Sequence, residues 1–504
     1  MNVAGRTILV FGDQLNRSIG LLRTAEPGVD HILMVESGHK ITSAKWHRQR
    51  LHFYLSSMRH FAHELQAEGF AVSYVKAASF TEVIAEYRKS NTEREIVATE
   101  PNSWSARELL KRLGIATTAS DQFLTHHLEF AAWVESRRTK GYKTFKMEDF
   151  YRHQRVRLGI LLDGSEPAGG QWNFDGDNRE PPPRDGHDRW PSPLRSSLDE
   201  IDNDVLRELP DNAFGAPPDG TWATTRSEAL HRLTHFIDNV LPMFGPHEDA
   251  MLTTNWHLAH SLLSPYLNNG LLMPGEVVAA AENAFRRGRA PIASVEGFIR
   301  QIIGWREYVW GLYWMWMPEY KSENALDAHL DLPPLFNGST SNMRCISHVM
   351  QTIDSYSWAH HIQRLMILGN LALTAGIDPQ QFTDWMARVF IDAADWVMVP
   401  NVVGMALHAD DGRMATKPYA SGGAYIDKMS DYCKGCTYDR KVRVGDRACP
   451  FTTLYWDFLD RHHDRFVRNA RVATQARAAR KLTDLPDVRA RAVEVRRRLL
   501  DGTL

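Results

Sequence analysis

Residues 6–13, Arg6-Thr7-Ile8-Leu9-Val10-Phe11-Gly12-Asp13, decide the fold of the first part of this 504-residue chain. A short apolar, β-branched run that stops at Gly-Asp is typical of a buried strand. Further strand-like runs occupy residues 31–35, 71–75 and 95–98, and helical patterns occupy residues 46–66, 81–89 and 105–113. Strand–helix alternation predicts a Rossmann-like parallel sheet with helices on both faces.

The polar residues just after these strands are candidate ligand-binding groups. Gly12, Asp13 and Gln14 follow the first strand, and Glu36 follows the second. Ligands of open parallel sheets bind at the carboxyl ends of the strands. No G-x-G-x-x-G text follows the first strand, so we do not expect a dinucleotide site of the usual kind.

The chain divides into three regions that differ in predicted secondary structure and in Pro and Gly content. Residues 1–135 form the α/β domain. Residues 136–225 are predicted to be an interdomain linker, because Pro and Gly interrupt residues 160–225 and apolar periodicity is lost there. Residues 226–504 are helical in pattern and hold nine of the 15 tryptophans, between Trp256 and Trp456.

Composition places few further limits on function. Hydrophobic residues make up 43% and charged residues 24%, as in ordinary globular proteins. No long apolar run or secretory signal is present, so we expect a cytoplasmic protein without a membrane partner. We also expect a monomer. Residues 461–498 carry 12 Lys/Arg against 4 Asp/Glu, which indicates either a solvated helical face or contact with a polyanion.

All four cysteines lie in the last third of the chain, at Cys345, Cys433, Cys436 and Cys449. One C-x-x-C pair and no stray cysteine suit an iron–sulfur cluster or a zinc site with four thiolates. The alternative is that they are free thiols buried as small hydrophobic residues. A metal held in this way would tie together segments almost ninety residues apart and help the C-terminal half to fold.

Three segments of the helical half carry polar side chains in patterns that suggest a binding site. H-S-L-L-S-P-Y-L at 260–267 fits an anion site at a helix start, or an N-capping turn. Residues 296–308 predict a helix with one polar, aromatic side, which alone would pass for a core helix. W-A-H-H-I-Q-R at 358–364 places His361 and Arg364 on one helix face.

Together, these three segments resemble the photolyase/cryptochrome family. They occur in the family's order, after an α/β domain and a long linker. Within the family, the chain is most similar to the bacterial branch that carries a [4Fe–4S] cluster and includes prokaryotic (6–4) photolyases. The features that carry this similarity are the text at residues 12–15, Thr416-Lys417-Pro418-Tyr419 and the four cysteines. The resemblance implies that the four cysteines are cluster ligands.

The resemblance also implies FAD in the helical domain and an antenna chromophore, 6,7-dimethyl-8-ribityllumazine, in the α/β domain. Arg364 and Asp392 match the family's pair beside the isoalloxazine, where a fixed positive charge suits a reduced, anionic flavin. The antenna would lie against Gly12, Asp13, Gln14 and Glu36. The implied FAD-binding residues are His260, Ser261, Leu262, Ser264, Gln301, Trp305, Arg306, Arg364 and Asp392.

The activity implied is light-dependent repair of (6–4) photoproducts in UV-damaged DNA by electron transfer from excited reduced FAD, with the lesion flipped out of the duplex. His361 is the expected proton donor and His360 its neighbour, because histidine titrates near neutrality. Trp385 is the expected electron-transfer residue, and Trp358, Trp396 and Trp456 stay open as another path. The phosphates would contact Lys/Arg side chains. The candidates are residues 465–498 together with Arg179, Arg184 and Arg189.

Two other functions stay open. A cryptochrome-type blue-light receptor shares every binding motif, and a zinc-stabilised helical nucleic-acid binder would need no flavin. Three positions depart from the family pattern: Asn337 replaces a Trp and Met386 a Tyr of the photoreduction chain, and Met398 replaces an acidic residue near the flavin. These departures favour the receptor, whereas His360, His361 and the basic tail favour the enzyme.

Overall fold

A computed structural model describes residues 5–142, 144–183 and 189–504, so the predicted DNA contact of Arg184 lies outside the described residues. Five strands form one parallel sheet in the order β3-β2-β1-β4-β5. Val10 pairs with Met34 and Thr7 with Ile96. The strands are β1 Thr7–Val10, β2 His31–Ser37, β3 Ala71–Ala77, β4 Ile96–Thr99 and β5 Ala116–Thr118.

Both faces of this sheet are buried, as predicted. Ile8 and Val10 of β1 pack into the large core on one side, whereas Leu9 packs into a smaller core on the other. Side chains alternate along a strand, so an unbroken apolar run implies cover on both faces. Strand β5 was not predicted, because its three exposed residues carry no apolar signal.

Helices cover the sheet and continue into the predicted linker. Helix α2 agrees with the amphipathic pattern, and α3 and α4 agree with the shorter helical patterns. The helices of this part are α1 Gly38–Thr42, α2 Arg48–Ala67, α3 Phe80–Ser90, α4 Trp104–Arg112, α5 His127–Thr139, α6 Met147–Leu158 and α7 Glu200–Glu208.

The segment predicted to be irregular contains regular structure. Strands β6 Leu162–Asp163 and β7 Glu166–Pro167 form an antiparallel hairpin. Helix α7 packs on α2, where His60 Nε2 is 2.9 Å from Asp199 Oδ2. These elements are only two to nine residues long, so they leave little periodic apolar pattern in the sequence.

The remainder is helical, as predicted. Its helices are α8 Arg226–His235, α9 Ser264–Asn269, α10 Pro274–Arg286, α11 Ile292–Ile299, α12 Glu307–Trp316, α13 Arg344–Tyr356, α14 Asn370–Ala375, α15 Pro379–Val389, α16 Asp395–Val399, α17 Gly423–Met429, α18 Pro450–Arg461, α19 His463–Phe466, α20 Ala473–Ala479 and α21 Leu485–Leu500. Across the described residues, the helices are too short or too polar to cross a membrane.

Several helices change to π geometry where they border a large cavity. Segment Arg300–Arg306 joins α11 to α12, Gln363–Gly369 leads into α14, and Pro400–Ala406 follows α16. A π turn inserts an extra residue and re-aims the side chains that follow, and such turns are frequent at functional sites. All three segments contribute side chains to the same cavity.

Candidate functional site

A cavity of about 780 Å³ opens in the helical half of the molecule. All nine residues predicted to bind FAD line it, and so does His361. They come from four separated stretches of sequence, around residues 260, 300, 360 and 392. The helical fold therefore brings the sequence-predicted residues to one place.

A buried ion pair stands in the cavity wall. Arg364 Nη1 and Nη2 lie 2.9 and 3.1 Å from the two oxygens of Asp392. Ser264 Oγ donates to Asp392 Oδ2 at 2.7 Å, and Asn268 Nδ2 donates to the Asp392 carbonyl oxygen at 2.7 Å. A two-point contact between planar groups fixes their orientation. The guanidinium therefore presents a positive charge at a set position.

The helix from α11 to α12 supplies the opposite wall. Gln301 Nε2 donates to Glu248 Oε1 at 2.9 Å, and burial raises the pKa of Glu248 to about 8. Arg306 Nη1 contacts Glu307 Oε1 at 2.9 Å, and its guanidinium lies over the Phe123 ring at 4.0 Å. Arg306 Nε is buried and has no hydrogen-bond partner among the described residues.

Three histidines meet beside Arg364, in different environments. His361 lines the cavity, and its pKa is lowered to about 4 by the surrounding protein and by the Arg364 charge. His360 is buried behind the wall and stacks on His260, with ring centroids 4.6 Å apart. Burial and the neighbouring histidines also lower the pKa of His360. Of the two adjacent histidines, only His361 faces the cavity.

The four cysteines surround one small cavity at the base of α13, α17 and α18. Cys449 is the N-cap residue of α18, and Cys345 lies in the first turn of α13. A side chain at Gly423 would come within 3.0 Å of Cys449 Sγ. Burial and the neighbouring thiols raise the pKa of Cys345 and Cys433, the latter to about 12. Segments far apart in sequence thus converge at this cavity.

Comparison with known proteins decides the family. Residues 8–219 match the family model for deoxyribodipyrimidine photo-lyase-related proteins. A (6-4) photolyase of Agrobacterium fabrum is 41% identical over 510 residues, which cover 98% of this chain and 99% of that protein. The chain belongs to the photolyase family. The resemblance drawn from the sequence motifs is confirmed.

The fold of this photolyase-family chain is also that of a solved relative. A bacterial class III photolyase from Agrobacterium tumefaciens matches with a TM-score of 0.54 and 14% identity, over 99% of this chain and 98% of that one. At that identity the likeness concerns the fold alone. A shorter match, 33% identical over 107 residues, links 21% of this chain to 80% of an uncharacterized protein, R855, of Acanthamoeba polyphaga mimivirus.

The predicted antenna residues lie together at the carboxyl edge of the sheet, but most of their polar atoms are already bonded. Gln14 Nε2 donates to the Glu100 carbonyl oxygen at 2.8 Å. Glu36 accepts from Arg59 Nε at 2.7 Å and Nη2 at 3.1 Å, and from the Tyr74 hydroxyl. Because these groups are satisfied within the protein, Gln14 and Glu36 do not offer them to a chromophore.

Trp385 does not line the large cavity. Its indole N–H donates to the Phe336 carbonyl oxygen at 2.6 Å, and its ring borders a separate cavity of about 460 Å³ together with Asn337. Met386 and Met398, two of the departures from the family pattern, do line the large cavity. The sequence could not show this separation, because Trp385 and Met386 are adjacent in the chain.

Part of the basic tail is paired with carboxylates of α18. Arg489 contacts both oxygens of Asp460 at 2.7 and 3.0 Å, and Arg496 Nη1 contacts Asp457 Oδ2 at 2.7 Å. These pairs join α21 to α18, so part of the tail's charge serves packing. Basic side chains that line the large cavity include Arg179, a predicted DNA contact.

Sequence reasoning missed several polar residues of the cavity. Most of them lie in loops or on helix faces without a recognisable motif, so their position depends on the tertiary fold. These residues are Glu248, Asn268, Asn401, Lys417, Tyr425 and Lys428. For Lys417, the T-K-P-Y text was a signal, but it did not indicate a cavity position.

Proposed function

We propose that this chain repairs (6–4) photoproducts in UV-damaged DNA by a light-driven reaction of bound FAD. The observation that carries the proposal is the single cavity of about 780 Å³ that gathers all nine predicted flavin residues. The relative that is 41% identical along nearly the whole chain supports the choice of lesion.

The cavity wall suits a large anionic cofactor. Its volume is within the range of small-molecule sites. Two buried nitrogens of lining residues, His260 Nε2 and Arg306 Nε, have no hydrogen-bond partner among the described residues. Unpaired buried polar groups are costly, so a ligand that hydrogen-bonds to them would be stabilised. The fixed Arg364 charge adds affinity for an anion.

When bound, FAD supplies light absorption and the transfer of one electron to the lesion. The chain's own residues have other tasks. The Arg364–Asp392 pair places a positive charge where a reduced flavin is anionic. His361 stands in the cavity, where it can hold a proton for a flipped-out base. A bound anion or DNA phosphate would raise the pKa of His361 from about 4 towards neutrality.

We also propose that Cys345, Cys433, Cys436 and Cys449 hold a [4Fe–4S] cluster. Thiols with raised pKa values become thiolates only beside strong positive charge, which a metal centre provides. Within the described parts of the chain, no three of these sulfurs lie within 4.8 Å of one another. Sulfurs around one tetrahedral zinc, with bonds of about 2.3 Å, would lie about 3.8 Å apart, so a larger centre fits better.

Iron analysis of Cys345→Ser tests the cluster. We expect the purified wild type to contain about four irons per chain and the variant to lose iron and stability, because the clamp between α13 and α18 is lost. Wild type with zinc and without iron would contradict the cluster and favour a zinc site.

Product analysis tests repair directly. Oligonucleotides with one (6–4) lesion are illuminated with blue light in the presence of protein whose flavin has been chemically reduced. We expect restored pyrimidines in the light and none in the dark. A matched oligonucleotide with a cyclobutane dimer tests the choice of lesion. Persistence of the (6–4) lesion under these conditions would reject the repair function and favour the photoreceptor.

Three further expectations stay predictions: the ribityllumazine antenna, the monomeric state and the cytoplasmic location. Asp13 is also engaged within the protein, because its carbonyl oxygen accepts from Gln122 Nε2 at 2.7 Å and from Asn102 Nδ2 at 3.4 Å. Glu36 would first have to release Arg59 and Tyr74.

A further inference from the structure

Four tryptophans form a continuous ladder from the large cavity towards the surface. Trp396 lines the cavity and is buried. Its ring centroid is 5.9 Å from that of Trp310, which is 5.4 Å from Trp314, which is 6.2 Å from Trp104. Trp104, at the start of α4, is half-buried. Each ring is thus within aromatic contact distance of the next.

The indole N–H groups of the ladder are unusual. Those of Trp396, Trp310 and Trp314 are buried and have no hydrogen-bond partner among the described residues. Buried polar groups are normally paired, and an unpaired one calls for an explanation. An oxidised indole becomes acidic at this nitrogen. Without an acceptor nearby, the inner three rings keep their protons and can pass charge reversibly.

The ladder also contacts the cavity more directly than Trp385 does. Trp385 borders the separate cavity beside Asn337, where the family pattern has a Trp. We propose that Trp396, Trp310, Trp314 and Trp104 carry electrons from the surface to the flavin during photoreduction. This inference rests on the proposed function, because it requires FAD in the large cavity.

The electrons and protons balance with a thiol as the external reductant. Trp396 would give one electron to light-excited oxidised flavin. Trp310 then reduces the oxidised Trp396, Trp314 reduces Trp310, and Trp104 reduces Trp314. Trp104 loses its N–H proton to water and regains one hydrogen atom from a thiol. Over two passages, two thiols become one disulfide, and the flavin gains two electrons and one proton while a second proton passes to water.

An arginine flanks each end of the ladder. Arg306 lies over Trp396 at 5.2 Å, and Arg107 lies 4.3 Å from both Trp104 and Trp314. A fixed cation raises the energy of a positively charged ring beside it. The oxidised outer ring is therefore stabilised mainly by deprotonation, which is possible at Trp104 because that residue is half-buried at the surface.

A second aromatic path offers a matched control. Trp358 also lines the cavity, and its ring is 5.5 Å from Trp256, which stacks on Tyr356 at 4.1 Å. Trp310→Phe and Trp256→Phe make the same chemical change at the second ring of each path. The Trp310 ring stacks on Phe123 with centroids 3.7 Å apart, and a phenylalanine at position 310 can keep this stack.

The test follows bleaching of oxidised flavin under blue light with a thiol present, and the tryptophanyl radical by transient absorption. In Trp310→Phe we expect the bleaching rate to fall at least about tenfold, equal to about 1.4 kcal/mol of barrier, and the radical yield to fall with it. Trp256→Phe should keep the wild-type rate. Trp314→Phe serves as a second ladder variant if Trp310→Phe contains little FAD.

The proposal is overturned if Trp310→Phe and Trp314→Phe bleach at the wild-type rate, or if bleaching is lost in Trp256→Phe or Trp385→Phe and kept in the ladder variants. Repair with chemically reduced flavin separates this failure from failure of the proposed function. It should be normal in every ladder variant, whereas its absence in the wild type would count against photolyase activity itself.

Discussion

The carboxyl edge of the sheet and the helical cavity were both predicted to bind a chromophore, yet they are built differently. At the sheet edge, Gln14 and Glu36 have used their polar atoms on Glu100, Arg59 and Tyr74. In the cavity, buried nitrogens of His260 and Arg306 have no hydrogen-bond partner among the described residues. Polar groups satisfied internally stabilise the fold, whereas unsatisfied ones favour a ligand.

The two regions contain similar buried ion pairs, and replacing the arginine of each pair is expected to have the largest effect of the tests that follow. Side-chain exposure is 11% and 5% for Arg59 and Glu36, and 14% and 9% for Arg364 and Asp392. Arg59→Ala and Arg364→Ala each leave a buried carboxylate unpaired, and we expect each to reduce the free energy of unfolding by about 3–5 kcal/mol. Only Arg364→Ala should also lose FAD.

Urea unfolding and flavin absorbance of the two variants check this prediction. If Arg59→Ala loses FAD while Arg364→Ala retains it, the two regions have been assigned the wrong roles. Equal loss in both would mean that flavin content reports stability alone.

Replacement of His361 tests the chemistry of the cavity rather than its affinity. Loss of a positioned proton donor typically costs about 10²–10⁴ in rate. We expect His361→Ala to lower the rate of (6–4) repair by this factor and to keep its FAD, because the side chain faces the cavity and not the core. Single-turnover illumination with chemically reduced flavin measures the rate. A colourless variant would show that His361 has a packing role.

His360 predicts a pH dependence of stability. Its native pKa lies below the ordinary value of 6.5. Below that pH the unfolded chain binds a proton that native His360 does not, so the free energy of unfolding should fall as the pH drops. For this histidine the slope is about 1.4 kcal/mol per pH unit. Unfolding in urea between pH 5 and 7 should show a shallower slope for His360→Asn. An unchanged slope would mean that His360 titrates normally.

The smallest expected effect is at the sheet edge. Gln14→Ala removes the hydrogen bond to the Glu100 carbonyl oxygen, and we expect a loss of about 1 kcal/mol of stability. Flavin content should not change, since Gln14 does not line the cavity. A fall in flavin content would show that the two regions are coupled.

Local patterns predicted much of the architecture, with clear exceptions. Strands β1 and β2 were found because unbroken apolar runs imply burial on both faces. Strand β5 and helix α7 were missed, because short elements fixed by a few polar contacts leave no period. Of the adjacent residues His360 and His361, sequence could not tell which faces the cavity. The ion pairs of Arg489 and Arg496 likewise have no local signature.

By itself, the sequence determined the kinds of residue available. These are the apolar runs of a parallel sheet, the four cysteines that meet at one small cavity, and Arg364, Asp392 and His361 of the large cavity. Tertiary structure decided which polar atoms are satisfied and which are left for a ligand, and which of the many aromatic rings touch. Spacing along a chain fixes only neighbours within a turn or two, whereas contacts between helices far apart in sequence depend on how the whole core packs.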